Sequence, residues 1–530
     1  MTHAIALPES EDDSTLRGML HRSARWYPDH EAVVDGTCRL TYGGLLDRVR
    51  RMAGLLHSCG VRKGDRVALL THPSTAHVVA LFGAIELGAI PCALHVREST
   101  GTLAAVLQRL APRVLVYDGA LESVATTLRA QVPLVSHAVR AVSELTSSPG
   151  ASTADLCIPA DLDRYEPERA PVPVAPDDAA IIILSSGTTG VPKGIVHTHR
   201  TQIASARSGV LMVGASPVSA VVNASSTAFV GWYNCTLPFL MAAGKVVLLP
   251  HWEPVRYLQQ MQEERATFAF LVPTMWRMLL SHDVDRYDRS TLACAAYAGE
   301  PMDATTLRRI RERFCSRVMN VYGSTETGAW AGGTSMLIDN EAAMPRLDSV
   351  GKPLPGSDLR VIRPGGSADE VMPPGEEGEV IIRGASVSST AWDQPEVARK
   401  RMEGPWWHSG DLGVLDAEGY LYLRGRVDDM IISGGINILP NEIEEILLSL
   451  PAVQDCAVIG VPDNRWGQRV VAFVVPHGAV TTGELAAHVQ ACGLSGYKHP
   501  REYRLVRELP RGNTGKVARR QLRAEYLPHD

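Results

Sequence analysis

The sequence predicts an α/β protein of more than one domain, on three observations. The chain has 530 residues, and a single hydrophobic core stops growing at about 250–300 residues. Short apolar runs such as Val67–Leu70 and Ile181–Leu184 alternate with amphipathic segments, the order expected of parallel strands joined by helices. Past Asp348 the alternation gives way to short strands with Gly/Pro turns, and past Asp428 a compact tail reads as a small separate α+β domain.

Taken in order, the apolar positions Leu45, Leu46, Val49, Met52, Leu55 and Leu56 recur at three and four, which predicts an amphipathic helix over 41–59 ended by Gly60. A strand at Val67–Leu70, a helix over 76–87, and a further helix and strand ending in PRVLVYD follow. Residues 147–178 are rich in Pro, Ser and charge and read as a surface connection. The alternation resumes with a helix beginning near Thr198, a strand at 220–222, a helix over 237–243 and strands at 245–249, 268–272, 292–298 and 318–322. Beyond Asp348 the strands include EGEVIIRG and GYLYLRGR, and the tail alternates helix and strand from EIEEILLSL to ARRQLRAEY. Ligands of open α/β sheets collect at the carboxyl ends of the strands. The turns Ala298–Pro301 (AGEP) and Tyr322–Gly328 (YGSTETG) should therefore share a crevice with Leu184–Gly194.

Composition excludes several classes. A formal charge of −6 with both signs interspersed gives no reason to expect nucleic acid or an anionic membrane as partner. The nine cysteines are scattered without Cys-x-x-Cys spacing, so free thiols in a reducing cytoplasm are expected and a structural zinc is not. The N-terminus lacks a basic segment before an apolar one and does not read as a signal peptide. The most apolar window, 76–96, is broken by Glu86, Gly88 and Pro91 and reads as a buried helix and strand, with no membrane span.

The stretch LSSGTTGVPKG, Leu184–Gly194, follows a buried strand and holds four hydroxyl residues and three glycines before and after Lys193. Backbone N–H groups of such a turn approach phosphate oxygens unobstructed. It is not a Walker A loop, because Pro192 precedes the lysine and Gly194 follows it. On composition alone such a turn is more often an ordinary loop; its companions downstream decide the reading.

Those companions are YAGEP, VYGSTETG, WWHSGDLG, GRVDDMIISGGINILPNEIE and LPRGNTGKVARRQLR. In this order and approximate spacing, over essentially the whole chain, the six motifs resemble those of the AMP-forming acyl-CoA synthetase and adenylation-domain superfamily. The resemblance implies a large N-terminal domain over 1–427, built of two sheet-helix subdomains and a small distorted β-barrel, and a mobile C-terminal lid over 428–530. It implies two reactions at one site: a carboxylate attacks the α-phosphate of ATP and expels pyrophosphate, then a thiol takes the acyl group from the adenylate. Expected cofactors and partners are ATP, Mg²⁺, coenzyme A or the phosphopantetheine of an acyl carrier protein, and a small carboxylic acid. A homodimer is among the expected assemblies.

The same resemblance assigns residues. Ser185, Ser186, Gly187, Thr188, Thr189, Gly190 and Lys193 would bind the nucleotide, Thr188, Thr189 and Lys193 holding the β- and γ-phosphates, with Thr188 and Glu326 at the metal. Gly299, Glu300, Pro301 and Tyr322 would frame adenine, Gly323 and Ser324 would belong to the nucleotide site, and Thr325 would donate to the α-phosphate or the substrate carboxylate. Asp411 would accept from the ribose hydroxyls, as an acceptor-only carboxylate does, with Arg426 as its partner. Lys516 would bring an ammonium to the adenylation transition state from the mobile lid. Asp428 stands at the hinge position, and Gly434 and Gly435 leave room for a pantetheine arm. His197 and His199, just after the loop, read as structural.

For the acid, Phe229 falls where many relatives carry a gating histidine and Val230 where amino-acid-activating relatives carry an aspartate. An ammonium buried without a partner is costly, which disfavours an amino acid. Phe229, Val230, Trp232, Tyr233, Val272, Ala298 and Gly323 are the expected wall, suited to an alkyl or aryl carboxylate. An aromatic cluster beside a strand is as often core as pocket. The leading function is an acyl-CoA ligase. Alternatives are an acyl-AMP ligase that loads a carrier protein and, from another class, a silent nucleotide-binding protein. Retention of Glu326, Asp411, Arg426 and Lys516 together argues against silence.

Overall fold

The computed structural model describes residues 13–36, 38–142, 156–158, 162–168, 172–185, 191–300, 302–338, 341–434, 436–511 and 517–526. The chain divides into two compact units, Met1–Leu359 with Ile382–Trp407, and Arg360–Ile381 with His408–Asp530.

The first unit is α/β with two sheets. One runs in the order Leu156–Ile158, His137–Ala141, Val114–Asp118, Arg66–Leu70, Ile90–Ala93, Ala179–Ser185, Lys193–Thr198. All its pairings are parallel except the last. In the second sheet the parallel run is Glu31–Asp35, Lys245–Leu248, Ala220–Asn223, Phe268–Phe270, Cys294–Ala298, Val318–Tyr322. Thr334–Ile338 then adds antiparallel to Val318–Tyr322. The strands are near-continuous apolar runs such as Ile181–Leu184 because both sheet faces are covered.

Helices Tyr42–Ser58, Thr75–Glu86, His199–Val213 and Val230–Met241 contribute to one core with side chains of both sheets. Thr75–Glu86 is buried through Ile85, as its unbroken apolar sequence requires. It crosses Tyr42–Ser58 at Gly83, where a Cβ would come within 2.6 Å of Met52 Cγ. Helix starts follow the hydroxyl residues that the sequence places there: Thr41 accepts from Gly44 N, Ser74 from His77 N and Thr198 from Thr201 N.

Three local readings change. Residues 147–178 read as only a connection, but Leu156–Ile158 extends the first sheet beside His137–Ala141. Lys193–Thr198 forms a strand antiparallel to Ala179–Ser185, with Ser185 opposite Lys193, in place of a direct passage from loop to helix. The helix expected over 237–243 begins at Val230 and carries Pro238 inside it. Its start is held by the Asn223 amide, which donates to Trp232 O at 3.0 Å and to Thr236 Oγ1 at 3.1 Å.

In the second unit, Val453–Asp463 and Gly467–Pro476 pair along their length, and Glu502–Leu505 adds in parallel. Alternate residues face two small cores. Val458, Val470 and Val474 meet helices Pro440–Leu448 and Thr482–Ala491 through Ile443, Leu447 and Leu485. Ile459, Val471 and Phe473 meet Leu522 of the helix Arg519–Tyr526. Arg519 donates to both oxygens of Glu444 at 2.7 Å and lies 3.7 Å from Asp429. The antiparallel strands expected to form the small barrel, from Ser349–Pro353 to Leu421–Arg426, are shared out between the two units.

Candidate active site

In the first unit the turns that follow parallel strands carry most of the expected site. The turn Tyr322–Gly328 is joined to the strand Lys193–Thr198 that leaves the Ser/Thr/Gly-rich loop. His197 Nε2 donates to Thr325 O at 2.9 Å, and Thr201 Oγ1 lies 3.4 Å from Nδ1. That bonding places the proton of a neutral imidazole on Nε2. Burial pulls the His197 pKa down to about 4 against the opposing pull of the Thr325 carbonyl, so the ring is a neutral strut. Ser388 adds a second tie, its N–H donating to Glu326 O at 2.7 Å and its hydroxyl to Val196 O at 2.6 Å. Within the turn, Ser324 N donates to Thr327 Oγ1 at 2.9 Å. Thus the Glu326 backbone is fixed while its half-buried carboxylate has no partner among the described residues.

His199 is structural as well. Its Nδ1 accepts from Leu16 N at 3.1 Å, and burial lowers its pKa to about 4. The sequence places both histidines in the right class but does not show what His197 holds.

The turn after Cys294–Ala298 meets the loop after Phe268–Phe270. Gly299 has φ +94°, a conformation that favours glycine, and a Cβ on it would lie 3.9 Å from Val272 Cγ1. The Glu300 carboxylate accepts from Thr274 Oγ1 at 3.0 Å and so clamps the two turns together. Val272 is 37% exposed and Ala298 is partly buried, so both face this junction from accessible positions.

Phe229, half-buried, is the N-cap of Val230–Met241, and its ring lies 5.0 Å from that of His95. His95 Nδ1 is buried without a hydrogen-bond partner, and burial lowers the pKa. Nothing in CALHVRE marked this histidine. Gly231 faces Phe270, to whose Cε1 an added Cβ would approach within 3.5 Å. Trp232 and Tyr233 are fully buried in the core, Trp232 edge-on to both His77 and Tyr233. The helix begins early enough to turn these two inward, so the accessible wall at this end falls to Phe229 and Val230.

In the second unit Asp411 and Arg426 stand opposite each other on adjacent antiparallel strands. Arg426 Nη1 donates to Asp411 Oδ1 at 2.5 Å and to Ser409 O at 3.2 Å. Asp428 lies in the turn Val427–Asp429. Gly434, at φ +59°, donates its N–H to Trp466 O at 2.7 Å, and a Cβ on it would lie 3.0 Å from the Trp466 ring. Ser186, Gly187, Thr188, Thr189, Gly190, Pro301, Gly435 and Lys516 lie outside the described residues.

Known proteins align over nearly the whole chain. A feruloyl-CoA synthase of Amycolatopsis is 33% identical over 510 residues, spanning 95% of this chain and 98% of its own. A long-chain-fatty-acid–CoA ligase of Mycobacterium tuberculosis is 28% identical over 96% of this chain and 98% of its own. The solved structure of an anthranilate CoA ligase in complex with anthranoyl-AMP superposes with a TM-score of 0.82, at 25% identity over 98% of both chains. The signature of the AMP-binding enzyme matches residues 20–392 and that of the AMP-binding enzyme C-terminal domain residues 442–516. The match covers well over half of the chain, and the chain belongs to the AMP-binding enzyme family.

Proposed function

We propose that the protein activates an apolar alkyl or aryl carboxylic acid as its acyl-adenylate and transfers the acyl group to coenzyme A, releasing AMP and pyrophosphate. The observation that carries this reading is the turn Tyr322–Gly328. Neutral hydrogen bonds from His197 and Ser388 fix its backbone, and they leave the Glu326 carboxylate without a partner among the described residues. A fixed, unpaired charge is preorganised for a ligand.

Thr188, Thr189 and Lys193 bind the β- and γ-phosphates, Thr325 the α-phosphate or substrate carboxylate, and Asp411 with Arg426 the ribose. Gly299, Glu300, Pro301 and Tyr322 frame the adenine. Among the described residues no group of three His, Cys, Asp or Glu side chains is placed to hold a metal. The single fixed carboxylate of Glu326 fits magnesium, which binds through one or two carboxylates plus phosphate oxygens and water. Glu326, with Thr188, would hold it, and it would neutralise charge on the phosphates. Lys516 stabilises the adenylation transition state from the lid, which turns about Asp428 so that Gly434 and Gly435 face the thiol in the second reaction.

Phe229, Val230, Val272 and Ala298 bring no charge to the acid, which supports an apolar acyl group. The eight cysteines described are free, and no described helix is long and apolar enough to cross a membrane, which supports a cytoplasmic enzyme. Pyrophosphate release measured against alkyl, aryl and amino acids, each with and without coenzyme A, tests the reading. Continuous turnover of one apolar acid only with coenzyme A is the expected result. Adenylate formation indifferent to coenzyme A would move the acceptor to a carrier protein, and release with no acid would remove the ligase assignment.

A further inference from the structure

The helix Arg519–Tyr526 of the second unit begins three residues after Lys516 and is held in two ways. Leu522 packs with Ile459, Val471 and Leu509. The other hold is ionic. Arg519 Nη2 donates to both oxygens of Glu444 at 2.7 Å, and Arg519 and Arg523 lie 3.7 and 3.8 Å from Asp429. Glu444 is itself fixed, since its Oε1 also accepts from Val458 N at 2.7 Å. Asp429 ends the turn Val427–Asp429 and directly follows Asp428, the residue expected at the hinge. Between the helix and the lysine, Val517 pairs antiparallel with Arg511, and Ala518 N donates to Pro510 O at 2.7 Å. Arg511 in turn donates to Asp455 on the strand Val453–Asp463.

Leu509 and Leu522 already attach this end of the chain to the sheet, and a buried ion pair is often no more stabilising than apolar residues of similar volume. What the ion pairs add is direction. A lysine ammonium on its flexible four-carbon stem takes its bearing from the backbone that carries it, and a misplacement of about 1 Å at a reacting centre costs about 10²-fold in rate. We propose that Glu444 and Asp429 are positioning residues for adenylation: through Arg519 and Arg523 they tie the stretch of chain that carries Lys516 to the turn beside the hinge, so that lysine and hinge turn as one body. The proposal rests on the ligase reading, in which Lys516 serves the first reaction alone, and it gives a part to two carboxylates that meet no substrate in that reading.

The test times the two half-reactions separately in the full-length protein: pyrophosphate release with acid and ATP, and thioester formation from supplied acyl-adenylate and coenzyme A. Glu444→Gln, which keeps the shape and removes the charge, and Asp429→Asn should each slow the first by about 10²-fold, through kcat more than through the KM for ATP. The second should change by less than about threefold, because it does not use the lysine. Asp429→Glu should recover part of the loss. Asp429→Asn touches the half-buried end of the network and carries the test if Glu444→Gln does not fold. Loss of both half-reactions in the same proportion, or adenylation as fast as wild type, overturns the positioning role. Hydrogen exchange at Val517 and Ala518, read by mass spectrometry, needs no substrate and reports the tether itself. It should quicken by about tenfold in Glu444→Gln while the strand Gly467–Pro476 keeps its protection. Unchanged exchange overturns the tether, whereas quickened exchange in a protein that releases no pyrophosphate with any acid would overturn the ligase reading and leave the tether standing.

Discussion

Acid should destabilise the larger unit well before its carboxylates titrate. His77, His197 and His199 are buried and held neutral, with burial lowering their pKa values to about 3, 4 and 4 from an ordinary 6.5. In the unfolded chain each takes up a proton near pH 6.5, whereas in the folded chain it does not until far lower. The unfolded state therefore binds more protons as pH falls, and stability present above about pH 6.5 is lost on the acid side. At about pH 5.5, one unit below the unfolded value, each histidine lowers stability by about 1.4 kcal/mol. Together the three should remove about 4 kcal/mol between about pH 7.5 and pH 5.5. The unfolded value sets this size, because all three native values lie well below the window. His95 and His251, whose pKa values burial also lowers, act in the same direction. Carboxylates held low by partners, such as Glu31 at about 2 beside Arg39, titrate beneath the window and do not enter. The assay is urea unfolding at the two pH values, followed by tryptophan fluorescence, for wild type, His77→Phe and His197→Gln. Each substitution should shrink the acid loss by about 1.4 kcal/mol. A wild-type stability flat across the window, or variants that keep the full loss, would refute burial as the cause.

Four further outcomes follow from the site. Glu326→Gln should lower the adenylation rate by about 10²–10³-fold and raise the magnesium needed for half-maximal rate; an unchanged magnesium titration would remove Glu326 as the metal ligand. Asp411→Asn should raise the KM for ATP by about tenfold with a smaller effect on kcat, since it removes uniform binding of the ribose. Lys516→Ala should abolish adenylation while sparing thioester formation from supplied acyl-adenylate, and equal loss of both half-reactions would contradict the two-state lid. Gly434→Val places a Cβ 3.0 Å from the Trp466 ring at a φ of +59°; it should slow the thioester step and leave pyrophosphate release intact, which single-turnover assays of each half-reaction resolve.

Much of the fold is legible because its elements announce themselves locally. The helix Tyr42–Ser58 shows its face in the spacing of Leu45, Val49, Met52 and Leu56, and the buried strand Ala179–Ser185 in an unbroken apolar run. The start of the helix Val230–Met241 is hidden because Gly231 and Pro238 weaken the pattern, and what fixes that start is the Asn223 side chain. The strand Lys193–Thr198 is hidden because Gly194 and His197 read as loop and helix approach; its register against Ala179–Ser185 supplies the conformation. The Gly-rich and charged turns of the site are legible because phosphate chemistry restricts their composition. Their supports are not: His197 reaches Thr325 and Ser388 reaches Val196 across long stretches of chain, and no local pattern encodes such a partner.

The distribution of pairing among ionic groups distinguishes site from scaffold. Away from the site, several buried and half-buried charges are matched. Glu264, at the end of the helix Pro254–Glu263, takes Arg39 at 2.8 Å and Lys245 at 2.6 Å, tying that helix to the strands Cys38–Thr41 and Lys245–Leu248 of the second sheet. Both oxygens of Glu444 accept from Arg519 Nη2, joining two helices of the second unit. At the site the rule reverses in the first unit, where the backbone around Glu326 is fixed by neutral donors while its carboxylate and the Lys193 ammonium have no partner among the described residues. Because unmatched charge in a partly desolvated place costs stability, a scaffold has no reason to retain such groups on a turn and a strand end that other bonds hold rigid. A reaction that develops and releases phosphate charge does, since groups already desolvated and oriented need no rearrangement when that charge appears. The pairing of Asp411 with Arg426 in the second unit suits a different ligand group, because a carboxylate oriented by its arginine can accept from neutral ribose hydroxyls, for which an unmatched charge is unnecessary.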